Sequence, residues 1–233
     1  MIIGLDTPEL LDVDLVCDIE PVLGRAVPTE DREGGRLRAG RMLTRRLTPA
    51  TVSDDRELKH FLGAEAGSFD YHLIRVVCTF IDRTEERFES AWIKVDLSRV
   101  DGREDPESQP VAWSVEPERL SRPSGVVHGV EVTVPAKLVT AAYRREATAG
   151  EQTYLQAKFA ASSRPTWYLT RTQEYAIDGD VDLRVVARIP SGIQACADLS
   201  AGAAIRRRIG RIIPHFADLQ DPTPNGRLIF GGA

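Results

Sequence analysis

Residues 181–189 read Val-Asp-Leu-Arg-Val-Val-Ala-Arg-Ile, and their pattern decides the fold. Apolar side chains occupy every second position, and three of the four positions between them are charged. Successive side chains of an extended chain point to opposite faces, so a period of two indicates a β-strand. The segment therefore predicts a strand with one apolar face and one mainly polar face.

The same alternation continues on both sides of this segment, in residues 153–161, 167–173 and 193–199. Short breaks rich in glycine, proline, serine and aspartate separate the runs. Connections of this length fit antiparallel neighbours, because parallel strands need a crossover of a dozen residues or more. We therefore predict a four-stranded antiparallel meander over 151–199. Its buried positions are predicted to be Leu155, Phe159, Leu169, Leu183 and Val185.

Further strands are predicted along the rest of the chain. Residues 74–80 and 91–97 flank a polar loop of hairpin length at 82–86, which predicts a second strand pair. The remaining alternating or β-rich segments are 11–19, 110–115 and 130–134.

Three short helices are also predicted. Ser53 can cap a helix that ends near Leu62, Pro135 can begin a second, and Ser200 can cap a third that runs to Ile213. Together these elements predict a mainly β fold, with α+β as the alternative. The expected architecture is an antiparallel β-sandwich or bent sheet with two or three short peripheral helices.

No linker divides the chain, so residues 1–233 are predicted to form a single domain. Within it, 28–53 is predicted to be an irregular arginine-rich excursion with one helical turn series near 41–47. The almost wholly polar segment 99–110 is predicted to be a mobile surface loop, and 220–233 a loose C-terminal tail.

Composition argues for a soluble, cytoplasmic protein. Hydrophobic residues make up 42% of the chain, charged residues 28%, and the formal net charge is -5. This mild acidic balance argues against whole-molecule attraction to nucleic acid. No signal peptide is visible at the N-terminus, and no apolar stretch approaches the ~20 residues that span a bilayer. The three widely spaced cysteines, Cys17, Cys78 and Cys196, are predicted to be reduced, buried and free of metal.

Sequence motifs of catalysis are not found. The chain has no nucleophile elbow, phosphate loop or dinucleotide fingerprint. Four alternate carboxylates near the N-terminus are interpreted as a solvated strand face and not as a metal site. The histidines lack a second histidine or cysteine at metal-ligand spacing; they are His60, His72, His128 and His215. We therefore predict no catalytic residue, no cofactor and no metal ligand.

The best functional candidate is a basic surface. On the predicted helix over 201–213, isoleucines occupy one side, so Arg207, Arg208 and Arg211 should project from the other. Trp92 alternates with the apolar positions of its strand and should lie on the outer face. These four residues form the predicted interaction surface.

The favoured function is a non-catalytic cytoplasmic binding or assembly module, as a subunit of a homo-oligomer or larger complex. A protein partner or self-association is preferred, an anionic membrane surface is the second possibility, and nucleic acid is disfavoured. Two alternatives stay open. One is a hydrolase-type enzyme whose Asp or Glu and His residues come together from distant segments, and the other is a peripheral membrane effector with a basic amphipathic helix or hairpin.

Overall fold

The computed structural model describes residues 10–17, 32–52, 55–83, 87–121, 153–159, 162–172, 175–206, 212–218 and 226–232. These ranges contain thirteen strands and one α-helix, α1 at Arg56–Glu65. The strands are β1 Leu10–Cys17, β2 Arg32–Gly40, β3 Leu43–Leu47, β4 Phe69–Phe80, β5 Arg87–Arg99, β6 Val111–Glu116, β7 Arg119–Ser121, β8 Thr153–Lys158, β9 Thr166–Thr170, β10 Gly179–Pro190, β11 Gln194–Arg206, β12 Ile212–Asp218 and β13 Arg227–Gly231.

The strands pair in one antiparallel path that folds back on itself. Its order is β6-β10-β4-β2-β1-β12-β11-β5-β9-β8-β7, with β3 paired to β4 and β13 paired to β11. The first part of the path, β6, β10, β4, β2 and β3, forms layer one. The last part, β11, β5, β9, β8 and β7 with β13, forms layer two, and β1 and β12 join the layers. The predicted antiparallel sandwich or bent sheet is confirmed.

A single apolar core fills the space between the layers. The core consists of the inward-facing side chains of β10, as the alternation predicted, together with those of β4, β5 and β11. Leu155, Leu169, Leu183 and Val185 are buried as predicted, whereas Phe159 is only half-buried at the margin of the core. Burying an aliphatic side chain of this size stabilises the fold by about 1.5–3 kcal/mol relative to leaving it exposed.

The predicted meander is wrong in its pairing, although all four strands exist. β8 and β9 pair with each other, but β9 pairs next with β5, β10 lies between β4 and β6, and β11 lies beside β5. The predicted pair of β4 and β5 is also wrong, because these strands lie in different layers. Two short connections, 81–86 and 191–193, thus cross from one layer to the other.

Helix α1 covers a second, smaller apolar cluster on the outside of layer one. Leu58 and Leu62 of α1 pack there against Tyr71, Leu73 and Val186. The predicted helix is confirmed, but its N-cap is Asp55, whose Oδ1 accepts a hydrogen bond of 2.9 Å from the Leu58 amide. Within the described ranges, no helix has the length and apolar character needed to cross a bilayer.

The helix predicted over 200–213 is wrong, because β11 continues to Arg206 and β12 begins at Ile212. Ala201, Ala203 and Ile205 are buried in the core, so this segment follows a period of two between β5 and β12. The isoleucine spacing at 205, 209, 212 and 213 imitated a helical stripe.

Two predicted irregular regions also contain regular structure. β2 and β3 lie within 28–53, where their backbones pair with β1 and β4, so the irregular excursion and its helical turn series are wrong. Strand β13 lies within the predicted loose tail, where Phe230 is buried opposite Ala195. In both regions glycines obscured a period of two that pairing with a neighbouring strand stabilises.

Candidate anion-binding site

One end of layer two brings together two arginines that are far apart in sequence. Arg87 begins β5 and Arg206 ends β11, and the two residues are register partners on neighbouring antiparallel strands. Like charges placed directly opposite each other on a sheet are destabilising. Arg206 Nε lies 2.9 Å from Glu89 Oε1, which compensates one positive charge. The pair places two guanidinium groups at one end of layer two, and that of Arg206 is paired with Glu89.

An open groove of about 680 Å³ adjoins this strand end. Three arginines against one glutamate leave its lining with a formal charge of +2. Guanidinium groups and hydroxyls are all hydrogen-bond donors, and they suit carboxylate or phosphate oxygens. The groove is lined by Arg87, Glu89, Thr153, Thr170, Arg171, Thr172 and Arg206.

Arg171 is held in place by the half-buried carboxylate of Asp82. Its Nη1 and Nη2 lie 2.9 and 3.1 Å from Asp82 Oδ2, and Nη1 also donates to the Phe88 carbonyl at 3.2 Å. Asp82 Oδ1 in turn accepts from the Phe88 amide at 3.0 Å. These bonds fix the floor of the groove before any ligand arrives.

A second guanidinium group, that of Arg36, lies near the same carboxylate as Arg171. The fully buried Arg36 lies 4.4 Å above the centre of the Phe88 ring, and its Nη2 is 3.9 Å from Asp82 Oδ1. Asp82 therefore lies close to two guanidinium groups, those of Arg171 and Arg36.

The sequence contains a signal for this cluster. Arg171 follows Trp167 and Leu169 in the inward phase of their alternating segment. A charged residue in the apolar phase of a strand indicates a buried ion pair, since an unpaired buried charge is costly. The position of its partner Asp82, on another strand connection, could not be found from the pattern.

The connection between β11 and β12 adds further positive charge in the sequence. Arg206 and Ile212 are register partners, so residues 207–211 join the paired ends of two antiparallel strands. The segment 206–211 reads Arg-Arg-Arg-Ile-Gly-Arg, with four arginines and no carboxylate. Arg207, Arg208 and Arg211 themselves lie outside the described residues, so their predicted exposure stays a prediction.

Trp92 lies on the outer face of β5 and is half-buried. Its indole covers the backbone of Gly202 on β11, where an added Cβ would lie 2.4 Å from Trp92 Nε1. Gly202 is therefore required by this close approach. The neighbouring aromatic Tyr168 is 42% exposed, and Lys158 Nζ lies 4.9 Å from the centre of its ring. Tyr168 is thus the more accessible of the two aromatic side chains.

The histidines that the structure describes stand apart from the groove. His60 is exposed on α1, in a shallow depression whose charged residues are Arg56 and Lys59. His72 is buried, and burial lowers its pKa to about 4, although the charge of Asp70 acts in the opposite direction. His128 lies outside the described residues, and His215 belongs to β12. Within the described ranges, no cluster of three or more histidine, cysteine or acidic residues could hold a metal ion.

Two of the three cysteines are buried free thiols, as predicted. Cys78 lies in the core, where burial raises its pKa to about 12. Cys196 is buried with its Sγ 3.1 Å from Ser98 Oγ. The predicted burial of the Cys17 side chain lies outside the described residues.

Comparison with known proteins gives only distant likeness. No protein-family model matches the chain, and no curated protein matches it. Among solved structures, Clostridium perfringens delta-toxin shares 9% identity at a TM-score of 0.32, over 83% of this chain and 88% of the toxin chain. The Clostridium perfringens NetB toxin in the membrane-inserted form shares 7% identity at a TM-score of 0.33, over 95% of each chain. Scores at this level support no statement about function, which rests on the chain's own residues.

Proposed function

We propose that this protein is a non-catalytic binding or assembly module that takes an acidic protein segment at the arginine-rich end of layer two. The observation that carries the proposal is the cross-strand pair of Arg87 and Arg206 beside an open groove lined by three arginines and three threonines. Arginine presents a planar fork of donors that binds carboxylates in two-point contacts. In the sequence, three more arginines follow Arg206 within five residues, at positions 207, 208 and 211.

The overall charge of the chain favours a protein partner over nucleic acid. A net charge of -5 repels a polyanion at long range, so attraction acts only over the short distance across which the arginines dominate. A short acidic segment of a protein fits this condition, since it need approach only one end of the molecule. The cytoplasmic location of this binding stays a prediction.

The test is a triple charge reversal, Arg207→Glu with Arg208→Glu and Arg211→Glu. Surface charges typically contribute about 0–1 kcal/mol each to stability, so we expect the variant to fold with a nearly unchanged melting temperature. The probe is a fluorescently labelled polyglutamate peptide, and its binding is followed by anisotropy at increasing salt. We expect salt-sensitive binding by the wild type and loss of binding by the variant.

A matched control reverses three exposed arginines elsewhere, Arg41, Arg45 and Arg56, with the same change in net charge. We expect this control to keep most of its polyglutamate binding. Unchanged affinity and salt dependence in the first variant would contradict the proposal, and unfolding of that variant would assign the arginines a structural role. Binding to anionic phosphatidylserine vesicles or to a single-stranded oligonucleotide in preference to polyglutamate would replace the acidic protein with that partner.

A further inference from the structure

The outer face of layer two carries an aromatic row that crosses four neighbouring strands. Trp92 on β5 is the register partner of Gly202 on β11 and of Tyr168 on β9. Tyr168 in turn is opposite Gln156 on β8. The residues that alternate with this row along each strand, such as Ala91, belong to the core, so the row faces away from the core. At ~4.8 Å between neighbouring strands, the aromatic row extends over about 14 Å.

The indole of Trp92 leans along the sheet surface toward β11. A Cβ atom added to Gly202 would lie 2.4, 2.5 and 2.6 Å from Nε1, Cε2 and Cζ2 of Trp92. The indole therefore occupies the space in which any other residue would place its side chain. This contact holds the ring in position before a ligand binds, and Trp92 keeps part of its surface exposed to solvent.

Tyr168 provides the second ring of the aromatic row. Its side chain is 42% exposed, and Lys158 Nζ lies 4.9 Å from the centre of the ring. The negative face of an aromatic ring attracts a cation, so this contact stabilises the position of an otherwise exposed side chain. The row thus presents two aromatic rings to solvent on neighbouring strands.

Short polar side chains lie on both sides of the aromatic row. Ser90 and Thr170 are register partners on one side, and Thr166 is opposite Lys94 on the other. Hydroxyl groups and the side-chain amide of Gln156 can both donate and accept hydrogen bonds. These polar side chains are exposed or half-buried. The face therefore combines aromatic surface with groups that suit the hydroxyls of a ligand.

The charge of this face does not suit a polyanion. The aromatic row and the rows on either side of it contain two cations, Lys94 and Lys158, and Lys94 Nζ lies 2.8 Å from Asp96 Oδ2. Proteins that bind single-stranded nucleic acids combine stacking rings with a positively charged groove along the backbone. A large apolar partner also fits poorly, since Tyr168 is the only exposed large apolar residue in these three described rows. An uncharged ligand with apolar and hydroxyl surfaces fits better.

We propose that the aromatic row binds an uncharged glycan, with pyranose rings stacked on Trp92 and Tyr168. This inference goes beyond the proposed function, because it assigns a second ligand to a different surface. A pyranose ring has an apolar face of C–H groups, which is attracted to the negative face of an aromatic ring. Its hydroxyls donate and accept hydrogen bonds, as do the side chains beside the row. A row of about 14 Å across a sheet suits an extended, ribbon-like chain of pyranose units.

Calorimetric titration of the full chain tests this ligand class. The probes are three extended hexasaccharides, cellohexaose, mannohexaose and chitohexaose, with the coiled maltohexaose for comparison. We expect at least one extended hexasaccharide to bind with a Kd of about 1 mM or below, and more tightly than maltohexaose. The affinity should be the same at low salt and at about 0.5 M salt, because the ligand carries no charge for salt to screen.

Substitutions of Tyr168 test the stacking contact. Tyr168→Ala removes the exposed ring and should weaken glycan binding about fivefold or more, the size of one aromatic contact. Tyr168→Phe keeps the ring and should bind nearly as well as the wild type. Ile229→Ala is the matched control, because it truncates an exposed apolar side chain on β13, outside the aromatic row, and it should leave the affinity unchanged.

Gly202→Ala tests the position of the indole without changing Trp92 itself. The new Cβ would overlap the indole, so the ring must move away from the sheet. We expect stronger quenching of tryptophan fluorescence by acrylamide in this variant, together with weaker glycan binding. If Gly202→Ala does not fold, Tyr168→Ala decides the question alone, because its substitution lies at an exposed site.

Two results overturn the glycan site. One is a wild type that binds none of the extended hexasaccharides, and the other is a Tyr168→Ala variant that binds them as tightly as the wild type. Salt-sensitive binding of oligothymidylate in place of the glycans also overturns it and assigns the row to nucleic acid. Polyglutamate binding should be the same for Tyr168→Ala and the wild type, so the proposed function and the glycan site fail in separate assays.

Discussion

Two short connections in this chain both predict a turn between antiparallel neighbours, but they have different roles in the structure. Residues 159–165 join β8 to β9, and these strands pair from Leu155 opposite Leu169 to Lys158 opposite Thr166. Residues 191–193 join β10 to β11, which share no backbone pairing, because β10 lies between β4 and β6 in the other layer. The first connection closes a hairpin, and the second is an arch between stacked layers.

The comparison shows that the length of a connection does not determine whether the two strands that it joins pair with each other. A stretch of three residues reaches about 10 Å when extended. It can therefore turn within a sheet, where strands lie about 4.8 Å apart, or cross to a sheet stacked about 10 Å away. The choice depends on what the rest of the chain offers to each strand.

In this protein a second arch provides the partner strands for β10 and β11. β4 and β5, joined by residues 81–86, also lie in different layers, and the two arches pair with each other strand by strand. β4 pairs with β10 over twelve register positions from Phe69 to Phe80, and β5 pairs with β11 from Arg87 to Arg99. Four long strands thus bury their apolar faces against one another, which two separate hairpins would not achieve.

The largest expected effect is the loss of unfolding free energy when a buried leucine is truncated. We expect this loss to differ between a strand of the arch and a strand of the hairpin. Leu183 is 0% exposed and lies on β10, a twelve-residue strand that pairs with β4 over its whole length, whereas Leu155 is 2% exposed and lies on β8, a six-residue strand that pairs with β9 over four positions. Removing buried leucine atoms costs about 2–5 kcal/mol, more where the surroundings cannot relax. We expect Leu183→Ala to fall near the upper limit and Leu155→Ala near the lower, in urea unfolding at pH 7. Equal costs would show that the arch strands are no more constrained than the hairpin.

A smaller effect is expected when stability is measured as a function of pH. It involves His72 on β4, beside Phe230 on β13. His72 lies 5.2 Å from the Phe230 ring, and neither of its nitrogens has a hydrogen-bond partner; the charged groups nearby are Asp70 and Arg46, which pair with each other. Burial lowers its pKa from 6.5 to about 4, so the unfolded chain binds the proton first as pH falls. Stability should therefore decrease between pH 6.5 and 4, by at most about 3 kcal/mol from this group.

The variant His72→Phe isolates this contribution. It should lose that part of the pH dependence while it stays folded, and urea midpoints at pH 7 and pH 4.5 measure the change. If the wild type and the variant show the same slope with pH, the histidine is not neutral and buried in the way the structure indicates.

The smallest expected effect concerns the turn of the arch itself. Gly192 has a φ of +80° and open space around its Cα, so a side chain there would meet backbone strain and no clash. Gly192→Ala should cost about 1 kcal/mol, and Gly192→Asn less, because asparagine tolerates this conformation better. Thermal unfolding measures both variants. Identical stability of the alanine variant and the wild type would mean that the turn adopts another conformation.

The inward and outward faces of β4, β5 and β10, and of β11 as far as residue 199, were predictable from the sequence alone. The inward positions from Val181 to Ile189 are all buried, and Trp92 lies on the outer face of its strand. These properties depend on the period of side chains along an extended backbone, which is local. The helix α1 was predictable for the same reason, although the neighbouring residue Asp55 replaces Ser53 as its cap.

Only the tertiary structure decided which strands pair, and with them the candidate site. Arg87 meets Arg206 because the two arches place β5 beside β11, and Arg171 meets Asp82 because β9 pairs with β5; each of these residue pairs is separated by 89 residues or more. The segment 200–206 became a strand and not a helix because β5 and β12 accept its backbone bonds and the core buries its small side chains. Partner choice depends on the packing energy of distant segments, and that energy is absent from the local pattern of any one of them.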